Sequence, residues 1–245
     1  MAITLVSGGA LGAAVNNGTN VTIALPTLIS NDVVISWGGH FNRAGSNTGP
    51  TATGWTTILA NTVTASPFFN ASYKIMGGTP DTSFVAYGTG NVTDAAAYGI
   101  YCLRGANVTA MLGSAANFTR ATSTNPDSPA ATSTVSNAWM LSLAMSVVND
   151  ASFTLPTNYT ITVLASVNDT NAASLGGGVR EIAVPGAENP GAFGSWGSGA
   201  WLAMSVFINP AGIDPNSATV TIAGKFATAA SGAFIGAHAS ALVVP

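Results

Sequence analysis

The chain has 245 residues, of which 6% are charged, against about 25% in an average soluble domain. Its net charge of −3 and its six scattered Lys and Arg residues exclude the basic surface of a nucleic-acid-binding protein and a polybasic membrane-binding segment. The longest apolar stretch, residues 139–148, is half as long as the roughly twenty residues that a transmembrane helix needs, so we predict no membrane span.

Ser, Thr, Asn and Gly must supply most of the hydration of such a weakly charged surface. A surface of this kind is easily buried between subunits, because few ions lose their water when two partners meet. We interpret it as the surface of an assembling protein. The alternative is a neutral surface without any partner.

Along the chain, short strand patterns alternate with turns, and no window sustains the apolar period of a helix. Asn16-Asn17-Gly18 predicts a hairpin turn between the first two strands, and further turns are predicted at 77–81 and 88–91. The strands predicted in the first half are 21–25, 33–37, 55–59, 73–75, 84–87 and 96–103. The last of them is apolar on both faces, which is typical of a central strand covered on each side.

The second half repeats the pattern of the first at an offset of about 105 residues. In the same order, segments 31–37, 54–58, 73–78 and 96–103 match segments 137–143, 158–162, 179–182 and 200–207. We predict a duplication whose junction is the Thr- and Ser-rich stretch 115–136, with closing strands at 218–222 and 241–244. The predicted fold class is all-β, an antiparallel β-sandwich or jelly roll with two pseudo-repeated halves. These halves, 1–122 and 123–245, either form separate sandwiches or fuse into one compact unit.

The residue types that build active sites and metal sites are scarce in this sequence. Cys102 is the only cysteine and lies in an apolar run, which favours a small buried side chain. His40 and His238 have no partner at metal-ligand spacing. We expect His40 to be a turn residue and His238 to be a polar residue of a strand. The stretch 194–199, Gly-Ser-Trp-Gly-Ser-Gly, is similar to a nucleophile elbow but lies between two predicted strands. We predict a non-enzymatic protein with no catalytic residue, cofactor or metal.

Two alternatives with a carbohydrate partner stay open. A polysaccharide depolymerase needs only two suitably spaced carboxylates, and Glu181 and Glu188 are the first candidates. A host-attachment module would bind surface glycans on exposed aromatic rings, and Trp55 and Trp196 adjoin glycines at strand edges. The other tryptophans fall within apolar strands and are expected in the core: Trp37, Trp139 and Trp201.

Eight Asn-x-Ser/Thr triplets occur, at Asn17, Asn20, Asn70, Asn91, Asn107, Asn117, Asn158 and Asn168. The sequence before Arg43 contains no basic residue, so it lacks the positively charged region of a secretory signal. Since no export is expected, we interpret the triplets as polar stripes on the outer faces of strands instead of glycosylation sites.

Four motifs follow one another in the first half: Asn31-Asp32, Gly54-Trp55-Thr56, Tyr73-Lys74 and Arg104-Gly105. This order resembles that of structural proteins of bacteriophage and prophage particles. The resemblance covers most of the first half and, more faintly, the second, where 207–210 replaces the Arg-Gly pair. It implies a β-sandwich or jelly-roll module of a tail, fibre or capsid-decorating protein without catalytic residues. Such a protein is assembled into the virion in the host cytoplasm and packs against copies of itself and other virion proteins.

Overall fold

The computed structural model describes residues 2–16, 19–41, 49–61, 67–87, 94–114, 116–149, 152–167 and 171–212. In these residues the chain forms strands, turns and bends but no helix, which confirms the all-β prediction. Within the same ranges there is accordingly no helix long and apolar enough to cross a membrane. The predicted features that lie outside the described residues are His238, the turn at 88–91, the strands at 218–222 and 241–244, and the triplets at Asn17, Asn91 and Asn168.

Strands follow one another at short intervals along the described chain. The first group comprises β1 Thr4–Val15, β2 Val21–Ala24, β3 Val33–His40, β4 Thr56–Asn61, β5 Phe68–Ile75, β6 Ser83–Ala86 and β7 Ala96–Arg104. The second comprises β8 Asn117–Ser123, β9 Asp127–Ser128, β10 Ala131–Ser133, β11 Ala138–Ser146, β12 Thr160–Val167, β13 Ala173–Ile182, β14 Gly186–Glu188, β15 Gly191–Ala192 and β16 Gly199–Ile208.

The first sheet has the strand order β1-β7-β3-β5-β4, and every neighbouring pair is antiparallel. Its central strands β3 and β7 are buried over nearly their whole length, as their continuous apolar sequence predicts. The pair β2–β6 covers the outer face, where Ile23 and Phe84 pack with Tyr98 and Ile100. The central strands of this sheet are therefore shielded from water on both faces.

The second sheet has the order β12-β13-β11-β16-β8 and is also antiparallel throughout. The short pairs β9–β15 and β10–β14 lie on its outer face, where Phe193 and Trp196 pack with Trp201. Counted along the chain, the five strands of either sheet are arranged first-fifth-second-fourth-third. This common order supports the duplication, which stays a prediction, as does the jelly roll.

The two sheets pack face to face, and their facing side chains form one hydrophobic core. The Trp37 indole lies against glycines of both sheets, since a Cβ placed on Gly99 or Gly177 would be 2.6 or 2.5 Å from Trp37 Cζ2. Tyr101 stacks on Trp37 with 4.9 Å between ring centroids. Its hydroxyl donates a hydrogen bond to the carbonyl oxygen of Ile161 in the opposite sheet, at 2.7 Å. Strands from both halves of the sequence thus share this core.

Three local predictions differ from the structure. The hairpin pairing predicted across 16–18 is wrong, because β1 pairs with β7 and β2 pairs with β6; residues 17 and 18 of the turn lie outside the described residues. Strand β8 lies inside the predicted junction 115–136, because its Thr, Ser and Asn residues suit an exposed edge strand as well as a loop. Strand β13 begins at Ala173 instead of residue 179, since the glycines at 176–178 concealed its pattern.

The first and second sheets divide the chain near the predicted boundary at residue 122, but not at it. Strand β8 pairs with β16 over its whole length and therefore belongs to the sheet formed by the second part of the chain. The linker between the sheets is the segment 105–116, which follows β7.

Candidate functional site

One end of the sandwich carries a pocket of about 450 Å³. It lies where the loop before β3, the segment after β7 and the end of the described chain meet, and its wall includes Ile29, Asp32, Arg104, Ala106, Val108 and Ala211. The Ala211 N–H donates to the Gly105 carbonyl oxygen at 2.6 Å, which holds two of these segments together. The pocket therefore unites Asn31-Asp32 and Arg104-Gly105, the first and last motifs of the sequence resemblance.

Asp32 is a buried charge at this pocket, with a side chain 1% exposed. Arg104 donates from Nε to Asp32 Oδ1 at 2.8 Å and from Nη2 to Oδ2 at 2.7 Å, and the Ile29 N–H donates to Oδ2 at 2.8 Å. Burial raises the pKa of the Asp32 carboxyl, but the hydrogen bonds from Arg104 and Ile29 and the guanidinium charge outweigh it. The net result is a pKa below the usual Asp value, so Asp32 is ionised at neutral pH.

This ion pair has the chemistry of a structural clamp. A general acid or base must exchange protons near neutral pH, whereas Asp32 has a depressed pKa and Arg104 keeps its charge. The neighbouring Asn107 is engaged as well, because its Oδ1 accepts the backbone N–H groups of Thr109 and Ala110 at 3.0 Å each. The described wall of the pocket therefore offers a ligand apolar contact more than reactive groups.

Cys102 is completely buried in β7, as predicted. Burial, with a contribution from the Asp32 charge, raises the pKa of its thiol to about 12. A thiol with such a pKa is protonated at neutral pH, so it is neither a nucleophile nor a metal ligand in this state.

His40 is the last residue of β3 and is fully buried, so the expectation of a turn residue was wrong. Its Nδ1–H donates to the Phe41 carbonyl oxygen at 3.2 Å, and its ring lies 5.7 Å from that of Phe68. The preceding Gly38 and Gly39 continue the strand instead of turning it. A Cβ on Gly39 would be 1.8 Å from the Phe68 carbonyl oxygen, so these glycines serve close packing with a neighbouring strand.

The two candidate acids of a depolymerase lie on β13 and β14. Glu188 forms an ion pair with Arg180, and its side chain is 14% exposed. Glu181 is exposed and stands opposite Trp139 in the pairing with β11. Neither carboxylate lines the pocket at the end of the sandwich. Across the described ranges, His, Cys, Asp and Glu form no group of three or more that could hold a metal ion.

The two candidate tryptophans are not free aromatic platforms. Trp196 is 3% exposed, lies 5.2 Å from Phe153 between ring centroids in a stacked geometry, and donates from Nε1 to Ser146 Oγ at 2.8 Å. An exposed sugar-binding role for Trp196 was therefore wrong. Trp55 is half-buried, with its ring edge-to-face against Phe84 at 5.3 Å. The tryptophans expected in the core are all buried: Trp37, Trp139 and Trp201.

Two other sequence features are placed by the structure. The stretch 194–199 connects β15 to β16, so its surroundings differ from the strand–helix turn of a nucleophile elbow, as predicted. Among the described triplets, Asn70 and Asn107 are buried, which contradicts a polar outer stripe at these positions. The remaining described triplets begin at exposed residues: Asn20, Asn117 and Asn158.

The two sheets approach each other closely on one side of the sandwich. There β1 contacts β12, and a Cβ on Gly12 would be 2.8 Å from the Leu164 carbonyl oxygen. The inner face of β1 carries Ala10, Gly12 and Ala14, and the β7 partners of the two alanines, Tyr101 and Ala97, belong to the shared core. Small side chains on β1 therefore let the two backbones meet.

On the other side, the sheets end at β4 and β8, and these strands do not meet in the same way within the described residues. The inner face of β8 carries Phe118 and Arg120, which pair with Met204 and Leu202 of the core. Phe118 is 45% exposed. We name this region, bounded by β4 and β8, the open side of the sandwich.

A comparison with family models, curated proteins and solved structures gives no match for this chain. The function is therefore argued from the fold and from the chemistry of its surface.

Proposed function

We propose that the chain is a non-enzymatic structural protein of a virus particle, as a capsid-decorating or tail component of a phage, and that it acts by packing against copies of itself. The observation that carries the proposal is that the described part of the β-sandwich has free strand edges and few charged residues at its surface.

The charged residues of the described chain are largely used inside the molecule. The basic residues Lys74, Arg104 and Arg180 each form an ion pair with a carboxylate. Asp94 is buried and accepts a hydrogen bond from Asn171 Nδ2 at 2.6 Å. Of the other described charged residues, Asp127 and Glu181 are exposed and Arg120 is partly buried. Such a surface loses little ion hydration when it is covered, and it lacks the repulsion that keeps monomers apart.

The free edges of the sheets supply a second argument. Strands β4 and β8 each end a five-stranded sheet, and an edge strand offers unpaired N–H and C=O groups to another chain. Proteins that stay monomeric commonly protect such edges with charged residues or Pro; β4 contains neither, and β8 contains one charged residue, Arg120. A sheet edge of this kind supports association through strand pairing.

The carbohydrate alternatives have less support in the geometry. The carboxylate of Glu188 is paired with Arg180, and a catalytic pair needs two carboxyl groups that flank one substrate bond. The indole of Trp196 is inside the molecule. No arrangement of the described residues favours either alternative over assembly.

The proposal is tested by light scattering on the purified full chain over a concentration series, at low and at about 1 M salt. We expect one defined oligomer whose mass does not depend on salt, because uncharged surfaces associate without ion pairs. A monomer at all concentrations would contradict self-packing. Mass spectrometry of particles purified from cells that carry the gene tests the virion assignment, which requires the chain in the particle fraction.

A further inference from the structure

The pocket at the end of the sandwich has the size and the lining of a small-ligand site. Its volume of about 450 Å³ falls within the roughly 300–1,000 Å³ that is usual for such sites. Most of its described wall is apolar and includes the side chains of Ile29, Ala106, Val108 and Ala211. Ligand pockets are commonly apolar with a few polar groups that fix the orientation of the ligand. The group that can do so here is the guanidinium of Arg104.

Arg104 is paired with Asp32 in a way that leaves one edge of its guanidinium for a ligand. The two hydrogen bonds to Asp32 come from Nε and Nη2, so this carboxylate occupies the side edge of the planar group. Among the described residues, Asp32 is its only acceptor. The end edge carries two parallel donors, one on Nη1 and one on Nη2, which match a second carboxylate. Since the Asp32 side chain is 1% exposed and that of Arg104 is 42% exposed, the accessible part of the guanidinium is turned away from Asp32.

The same ion pair holds this edge in one orientation. Asp32 is itself anchored by the N–H of Ile29, and its two oxygens fix the plane of the Arg104 guanidinium. A donor that is already held in place loses less conformational entropy when a ligand binds. The charge of Asp32 opposes a second anion, whereas apolar contact with the wall favours binding. The pocket is therefore suited to a ligand that combines a carboxylate with an apolar body.

We propose that this pocket binds an aliphatic carboxylate. The carboxylate of the ligand accepts hydrogen bonds from the end edge of Arg104, and its hydrocarbon chain lies against Ile29 and Val108. Two sources provide this chemistry: a free aliphatic acid, and the C-terminal carboxylate of a polypeptide whose last residue is apolar. The inference concerns ligand binding alone and does not depend on the association of the chain with copies of itself.

The test is a titration of the ¹⁵N-labelled full chain with hexanoate, followed by NMR of the Arg104 Nε–H and the backbone amides of Gly105 and Ala106. We expect saturable shifts at all of these groups. Hexanamide has a similar hydrocarbon chain but no charge, and it should bind about tenfold more weakly or less, because hydrogen bonds between charged groups are stronger. Acetate keeps the charge but lacks the chain, and it should also bind about tenfold more weakly or less.

A pair of variants tests the location of the site. Ile29→Glu puts a negative charge on the pocket wall at a side chain that is 51% exposed, and it should weaken hexanoate binding about tenfold or more. Val184→Glu is the matched control, because it adds the same charge at another exposed apolar residue, which does not line the pocket. Its affinity for hexanoate should equal that of the unmodified chain. The backbone amides of the central strand β11 report folding and should be the same in all three proteins.

Equal affinities for hexanoate and hexanamide would overturn the proposal, since Arg104 would then not recognise the carboxylate. Shifts that do not saturate, or binding that Ile29→Glu leaves unchanged, would overturn it as well. N-acetyl-leucine distinguishes the two sources within the proposal. Tighter binding than that of hexanoate supports a polypeptide C-terminus as the ligand, and weaker binding supports a free aliphatic acid.

Discussion

In the first sheet Trp37 stands opposite Gly99, whereas at the corresponding place in the second sheet Leu143 stands opposite Met204. The first sheet thus combines a very large residue with the smallest one, and the second combines two of medium size. The extra volume of Trp37 reaches across the interface to Gly177. Each sheet is therefore shaped by the residues of the other, because an interior packed to crystal-like density leaves no spare volume.

The framework around the core is alike in the two sheets. Asn31 and Asn137 precede β3 and β11, and their φ angles are 68° and 56°, in a region that Asn enters more easily than most residues. An ion pair follows at the end of the fourth strand of each sheet: Lys74–Asp81 in the first and Arg180–Glu188 in the second. The comparison teaches that turns and ion pairs repeat because they depend on local geometry. The core residues of the two sheets differ in size, because each must fit the side chains of the sheet that faces it.

The largest expected effect comes from removing the side chain that both sheets share. Trp37→Ala should lower the free energy of unfolding by about 3–5 kcal/mol, because it leaves a large cavity between the sheets. Leu143→Ala, at the corresponding place, should cost about 2–3 kcal/mol, at the lower end of the range for buried Leu. Urea unfolding followed by circular dichroism measures both. A cost below about 1 kcal/mol for Trp37→Ala would contradict a common core.

The complementarity of the two sheets can be tested by adding volume. Gly177→Ala should destabilise the protein by about 1–3 kcal/mol, because the new methyl group overlaps the Trp37 ring. The double variant with Trp37→Leu should recover part of this loss, and the mutant cycle measures the coupling. Gly186→Ala is the matched control, since nothing lies within 4 Å of the added methyl group. Equal losses of stability for Gly177→Ala and Gly186→Ala would show that the Trp37 indole leaves room for a methyl group at Gly177.

The two sheets differ by a charge at one end, because Asp32, just before β3, corresponds in the predicted repeat to Ala138, the first residue of β11. Asp32→Asn should cost about 1–3 kcal/mol by weakening the charged hydrogen bonds to Arg104. Since the pKa of Asp32 is lower in the folded state, its contribution is complete above the unfolded-state pKa of about 3.9. That contribution is lost as the pH falls from there through the folded-state pKa.

Urea unfolding between about pH 2 and pH 7 checks this dependence. Asp32→Asn has no carboxyl at this position that could be protonated. Its free energy of unfolding should therefore fall less on acidification than that of the unmodified chain. Identical pH profiles for the variant and the unmodified chain would show that Arg104 does not lower the pKa of Asp32.

The smallest expected effects come from the two corresponding ion pairs. Lys74→Met and Arg180→Met should each cost no more than about 1 kcal/mol, because partly exposed pairs are screened by solvent. The Arg180 variant should cost more, since it leaves Glu188, 14% exposed, without its partner, whereas Asp81 is 29% exposed. About 1 M salt should reduce both costs, and thermal unfolding at two salt concentrations measures the change. A larger cost for Lys74→Met would contradict this order.

Much of the strand framework was predictable because strand residues alternate or form apolar runs over short distances. Residues 96–103 were identified as a doubly covered strand, and β7 is buried in all its residues except Arg104. The mid-strand basic residues Lys74 and Arg180 were matched across the predicted repeat, and both form ion pairs. Polar edge strands were harder to predict. Strand β8 has the composition of a loop, and only its pairing with β16 makes it a strand.

The candidate site was less predictable, because it also depends on contacts between residues that are far apart in the chain. Asn31-Asp32 and Arg104-Gly105 were noticed as separate motifs, but nothing in a linear sequence says that Asp32 and Arg104 are 2.7 Å apart. Trp196 adjoins glycines and was left open as an alternative candidate for an exposed aromatic ring, yet Phe153 and Phe193 enclose it. Burial of an aromatic residue is decided by residues far away in the chain, which local patterns do not report.

The sequence by itself determined an all-β chain with a nearly neutral surface and a buried, unreactive Cys102, because alternation, charge and apolar runs are local properties. Only the tertiary structure decided that the two halves share one core and that, within the described residues, β1 meets β12 on one side of the sandwich while β4 and β8 do not meet in this way on the other. The physical reason is a contact between distant residues. Gly12 lets β1 meet β12, whereas β8, at the other side, carries the bulky Phe118 and Arg120 on its inner face.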